Sequence, residues 1–236
     1  MFTSFIAFNK SSLYKFENDK KNMLALILVA HADDETLGVG GTILKLIEKG
    51  WSVNIVALSD GKLTVRGKKQ DNRKSFKNAC KFLGVKKFSL LNFKDQKFDT
   101  FPISDLANAV VNLDLQPDLI ITHHDTDLNK DHRLTCEVAK IIGRPKIKPI
   151  SILGCEIPGT SFWNGRIFPA NYYVDISNHI NLKIEAFSKY HNEIQEYPHP
   201  WSKKGLKLLA EYHGMQSGFQ YAEAFNIIRG HEDRLI

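Results

Sequence analysis

A short apolar run, a turn and a segment with helical spacing form a unit that recurs four times over residues 24–142, and no other feature restricts the fold as strongly. Leu24 to Ala30 reads as a buried strand. Thr36 to Lys49 follows, with Leu37, Ile43, Leu44 and Ile47 near helical spacing and Gly50 suited to a helix end. The next pairs are Ser52–Leu58 with Asp71–Leu83, Lys87–Leu91 with Ile103–Leu113, and Asp118–Thr122 with Asp131–Ile142. Strands alternating with helices imply βαβ units, so the spacing predicts an α/β fold, a mainly parallel sheet with helices on both faces. After Pro149 the rhythm loosens. "SILGCEI" and "NYYVDI" read as strands, Asn178–Ile194 and Lys203–Met215 as helices. Residues 1 to about 22 look peripheral, and with no repeat or linker a single domain over 1–236 is expected.

The hydrophobic share, 43% of 236 residues, is enough for one sizeable core. Much of the net charge of +6 lies in small lysine patches such as Lys20-Lys21, Lys68-Lys69 and Lys203-Lys204. None interleaves aromatics with arginines, so a solvated basic surface is expected in place of nucleic-acid binding, with an acidic or phosphorylated substrate left open. Cys80, Cys136 and Cys155 are sparse and form no CxxC, which suggests reduced thiols and a cytoplasmic protein. The first residues lack the form of a signal peptide, and no apolar run nears the ~20 residues that span a bilayer.

The turn in "LILVAHADDETLGVGG" carries His31, Asp33, Asp34 and Glu35 where a nucleotide-binding turn would hold glycines. Gly38, Gly40 and Gly41 come a turn or two late, no Walker lysine follows, and carboxylates here would repel phosphate. Capping accounts for Asp34 and Glu35, since acids in a first turn complement the helix dipole. It leaves His31 and a second cluster unexplained. That cluster, "THHDTDLNKDHRLT", packs His123, His124, Asp125, Asp127, Asn129, Asp131 and His132 after the fourth strand. With the strand order 3-2-1-4, strands one and four are neighbours where the order reverses, and ligands bind beyond their carboxyl ends. A divalent metal supplies the charge that carboxylates need, and nitrogen and oxygen donors suit zinc. Two histidines and one aspartate leave a position open to water, and a further carboxylate could take its proton.

"AHADDE" resembles the A-H-P-D-D-E signature of the PIG-L/LmbE-like N-acetylglucosamine deacetylases, and "HHDTDLNKDHR" resembles their second motif. "FWNGRIFPANYYVDI", "YPHPWS" and "YAEAF" are similar to C-terminal segments of one bacterial branch, so the resemblance covers about residues 23–229. It implies a Rossmann-like fold, with His31, Asp34 and His132 as metal ligands and Asp33 as the base. Asp131 would orient the third ligand or a catalytic histidine. Glu35 would cap the helix. Two positions depart from the family pattern: Ala32 stands for a proline, and Asn129 stands where many members have a histidine. His124 and His199 are the candidates to replace that histidine. The activity implied is zinc-dependent N-deacetylation, another divalent transition metal being an alternative. The substrate implied is a small N-acetylated amino sugar, nucleotide- or lipid-linked, whose acidic part Arg66 or Arg73 would meet. A homo-oligomer is allowed for. The competing readings are a non-catalytic metal-binding protein of the same fold and a nucleotide-binding module. Against a purely structural metal, such sites usually close with four cysteine-rich ligands, and no cysteine lies in either motif.

Overall fold

The computed structural model describes residues 23–65, 68–145 and 148–236. The expectations placed on residues 1–22 and on Arg66 lie outside them. Five parallel strands form the centre of the sheet: β1 (Leu24–Val29), β2 (Ser52–Ser59), β5 (Lys87–Phe93), β6 (Leu119–His123) and β7 (Ser151–Cys155). The order β5-β2-β1-β6-β7 contains the expected 3-2-1-4 reversal between β1 and β6. Side chains of β1 alternate between two cores, as a pleated strand requires. Ala25, Ile27 and Val29 pack with Leu37, Ile43 and Leu46 of α1 (Asp34–Glu48) and with Phe76, Ala79 and Cys80 of α2 (Arg73–Phe82). Leu26, Leu28 and Ala30 pack with Leu106 and Val110 of α3 (Ile103–Val111) and Val138 and Ala139 of α4 (Lys130–Ile142). Helices therefore cover both faces.

Three elements depart from the sequence reading. Asp71 does not open a helix: β3 (Lys62–Val65) and β4 (Lys68–Asp71) form an antiparallel hairpin in which Lys62 faces Asp71. The helix expected over Asn178–Ile194 is α5 (Ile180–Phe187), followed by turns in which Tyr190 enters the core. After α6 (Lys203–Ser217), the "YAEAF" stretch begins β9 (Ala222–Arg229), which runs antiparallel between β7 and β8 (Tyr172–Asp175). Its Glu223 explains the buried charge in that motif. Glu223 accepts Lys183 Nζ at 2.6 Å and the backbone N–H groups of Gly41 (2.9 Å) and Thr42 (2.7 Å) inside α1. No helix among the described residues is long and apolar enough to cross a membrane.

Candidate metal centre

The site lies where β1 and β6 end side by side. The turn after β1 is fastened to β6 at once, since the Ala30 N–H donates to His123 Nε2 at 2.9 Å. The His31 N–H then donates to Asp34 Oδ2 at 2.8 Å. Between them Asp33 adopts φ 147°, a region that side-chain-bearing residues rarely occupy and that costs roughly 1–3 kcal/mol. What holds it is the helix start: the Asp33 carbonyl accepts the N–H groups of Thr36 and Leu37 and the Thr36 hydroxyl. The Asp33 N–H donates to Glu35 Oε2 at 3.1 Å, and Glu35 Oε1 accepts the Tyr190 hydroxyl at 2.5 Å. Glu35 thus caps the turn from a fully buried position, where desolvation pushes its carboxyl up to about 8 despite the Tyr190 bond.

α4 brings His132 to the same point, capped at its N-terminus by the Asn129 side chain, which accepts the Asp131 N–H at 2.9 Å. Candidate donor atoms of His31, Asp34 and His132 all lie within 4.8 Å of one another. His31 Nδ1 is 3.3 Å from His132 Nε2, and the Asp34 oxygens are 3.4 Å from His132 Nε2 and 3.5 Å from His31 Nδ1. A tetrahedral zinc with bonds of about 2.0–2.1 Å has edges of about 3.3–3.4 Å, so the His31–His132 edge has the length such an ion needs, and Asp34 supplies one further edge from Oδ1 to His132 and another from Oδ2 to His31. The rear nitrogens are also faced. His31 Nε2 is 3.1 Å from Asp95 Oδ1 and 3.2 Å from Asp131 Oδ2, and His132 Nδ1 is 3.2 Å from Asp127 Oδ2. Asp131 thus orients His31 and not its chain neighbour. His123 stacks on His132 with centroids 3.9 Å apart. Its fully buried ring is held below its usual value by desolvation and by His132. Burial works against ionised Asp34, yet the charges of His132 and His123 hold its carboxyl well below the ordinary range.

These groups open onto a cavity of about 570 Å³, lined also by Asp33, Asp95, Asn129, Thr160, Glu193, His199 and Trp201 among others. Asp33 is 6% exposed, and its carboxylate has no hydrogen bond among the described residues. Burial first, then Asp34 and Glu193, push its proton affinity well up. His199 Nδ1 accepts the Trp201 N–H at 3.1 Å, so the neutral ring carries its proton on Nε2. Trp163 meets the His199 ring edge-on at 5.5 Å.

Two of the sequence candidates fall elsewhere. His124 does not line the cavity: consecutive residues at the end of a strand point to opposite faces, and it is His123 that packs against His132 and Asp34. His124 Nδ1 instead meets the Thr126 hydroxyl at 2.9 Å. Arg73 is exposed and spends its guanidinium on Asp71, with Nε at 2.9 and 3.1 Å from the two oxygens, and it too is off the cavity wall. The sequence reading had no role for Asp95, Asp127 or Glu193. Asp95 was open to detection, since it follows the third parallel strand at the end where ligands bind.

The family model described as PIG-L, GlcNAc-PI de-N-acetylase, matches residues 26–142. Diacetylchitobiose deacetylase of Thermococcus kodakarensis is 27% identical over 232 residues, spanning 90% of this chain and 85% of the relative. Among solved structures, the N,N'-diacetylchitobiose deacetylase from Pyrococcus horikoshii superposes with a TM-score of 0.71 at 22% identity, over 92% of this chain and 90% of that one. GalB, a 4-carboxy-2-hydroxymuconate hydratase from Pseudomonas putida KT2440, reaches 0.69 at 19% identity, over 91% and 99%. The fold is thus shared by deacetylases and a hydratase.

Proposed function

We propose that this chain, which the PIG-L de-N-acetylase model matches over residues 26–142, is a member of that family and a metal-dependent hydrolase that removes the acetyl group from an N-acetylated amino sugar or its conjugate. The observation that carries this reading is the convergence of His31, Asp34 and His132 at ligand separations beside an uncommitted carboxylate, Asp33, on the same cavity. A divalent ion held by these three residues, zinc by the donor set, would supply the positive charge that eases deprotonation of water and polarises an amide carbonyl. Asp33 takes the proton of the attacking water. It returns that proton to the amine nitrogen as the nitrogen departs. Asp95 and Asp131 hold the His31 ring, and Asp127 faces that of His132. His199, on the same cavity wall, stabilises the carbonyl oxygen as negative charge develops there, taking the part left vacant by Asn129. The three buried free thiols support a cytoplasmic setting.

The test is a substrate panel: N,N'-diacetylchitobiose, N-acetylglucosamine, and nucleotide- and lipid-linked N-acetylglucosamine. Free amine and acetate are scored before chelation, after it, and after zinc is restored. Equimolar amine and acetate, lost on chelation and recovered with zinc, is the expected result. Bound metal with no amine from any member of the panel would turn the reading to the non-catalytic metal protein.

A further inference from the structure

Part of the cavity wall is made of hydrogen-bond acceptors that nothing in the fold satisfies. Glu193 stands in the turns after α5 and is 4% exposed. Its Oε1 accepts Asn72 Nδ2 at 2.9 Å. Its Oε2 has no hydrogen-bond partner among the described residues, and the side chain lines the cavity. Gln70 Oε1 lines the same cavity, buried and likewise without a partner. Gln70 Oε1, buried, is costly to leave without a donor, and Glu193 Oε2 is open to the cavity, so a ligand carrying donors can reach both. A hydroxyl donates a hydrogen bond and carries no charge.

We infer that Glu193 is a specificity-determining residue whose free oxygen accepts a hydrogen bond from a ring hydroxyl of the sugar that bears the acetamido group. The chain thereby selects a hydroxylated ring at the reacting end of its substrate. The inference rests on the deacetylase reading above. It has a sharp consequence, because the Asn72 amide cannot turn round. Its Nδ2 donates both to Glu193 Oε1 and to the Ala32 carbonyl at 3.3 Å, and reversal would set an oxygen against two acceptors. In Glu193→Gln the new carbonyl oxygen therefore stays on Asn72 and the NH2 group faces the cavity. The polarity of one atom is reversed while the shape is kept.

The probes are methyl N-acetyl-β-glucosaminide and its 3-, 4- and 6-deoxy counterparts, assayed for amine release by the zinc-loaded full chain. The wild type should lose roughly 10–100-fold in kcat/KM on deleting one particular hydroxyl. Glu193→Gln should lose a similar factor on the parent sugar, mostly in KM, and be nearly indifferent to that same deletion. A merely structural role for Glu193 would lower all four rates together and leave their ratios unchanged. Turnover by the wild type with every deoxy sugar within about 3-fold of the parent would overturn the inference without needing a variant, as would an undiminished deoxy penalty in Glu193→Gln. Absence of amine release from every N-acetylated sugar would overturn the deacetylase reading itself and this inference with it.

Discussion

Replacing Asp131 by Asn measures how firmly the centre is held from behind. Asp131 is 2% exposed, with Oδ1 accepting the Phe98 N–H at 3.2 Å and Oδ2 at 3.2 Å from His31 Nε2. Asparagine preserves the volume and keeps an acceptor for Phe98. Its NH2 group then faces His31 Nε2, where a carboxylate had accepted the ring's proton. Either two donors collide or the ring changes tautomer and moves its proton to Nδ1, the nitrogen aimed at His132 and Asp34. Both outcomes withdraw a lone pair from the centre. Loss of such a partner typically lowers metal affinity 10–100-fold, about 1.4–2.7 kcal/mol. Asp95 sets where in that range the variant falls. Its Oδ1 lies 3.1 Å from the same Nε2 and can retain the proton there. Asp131→Asn should therefore cost about 10-fold, and the double replacement of Asp131 and Asp95 by Asn about 100-fold. Zinc affinity would be read by competition with a chromophoric chelator, with thermal melting of the metal-free proteins as the check on folding. A folded double variant that binds zinc within about 2-fold of wild type would refute the reasoning.

Asp33→Asn should retain metal and substrate binding while its rate falls roughly 10²–10⁴-fold; loss of the metal would instead mark Asp33 as a ligand. His199→Ala should reduce turnover with metal content and melting temperature unchanged, and unaltered steady-state kinetics would remove it from the mechanism. Lys183→Met leaves the Glu223 carboxylate buried on two backbone N–H groups, and urea unfolding should register a loss of about 3–5 kcal/mol; a loss under about 1 kcal/mol would contradict it. Burial opposes ionisation of Asp118, but Lys148 at 2.8 Å, the Leu24 N–H at 3.0 Å and Arg234 outweigh it, so its carboxyl sits below the usual range. A depressed carboxyl stabilises above the unfolded value, about 3.9, and loses that contribution as pH falls through the folded one. The gap in urea midpoint between wild type and Asp118→Asn should be widest near neutrality and close below about pH 4; a gap independent of pH would disprove the assignment.

Periodicity exposed the parallel core because strands buried on both faces, such as "LALILV" of β1, must be apolar almost throughout. The β3–β4 hairpin is not part of that sheet. Its "KLTV" alternates for only four residues, and the facing "KKQD" has no apolar residue to mark a strand. β9 was masked for another reason. Glu223 is buried only because Lys183 and two N–H groups of α1 meet it, and no local pattern announces partners that distant. The same division runs through the site. His31, Asp33, Asp34 and His132 sit in two compact motifs at the ends of adjacent strands, so spacing and topology pointed to the two clusters, and the family resemblance singled out these four within them. Tyr190 acts on Glu35 across 155 residues, and Glu193 joins the cavity only by way of turns that the sequence presented as the end of a helix.

That division has a physical basis in how the chain is arranged around its cavity. The candidate donors and Asp33 fall within residues 26–142, the span of the family model. Thr160, Glu193, His199 and Trp201 come after it and form much of the facing wall. This later segment is held against the first by β7 paired with β6 and by Glu223 of β9 accepting the Gly41 and Thr42 N–H groups of α1, so the wall is fixed relative to the donors without contributing any of the three. A frame of this kind accommodates different reactions, as a hydratase of similar fold illustrates. Changes confined to the later segment can therefore alter which ring is accepted while donor separations stay as they are. Changes at His31, Asp34 or His132 cannot alter selectivity without first dismantling the centre. Substrate choice and bond cleavage should consequently separate under mutation: wall variants changing ratios between substrates, turn variants lowering every rate alike.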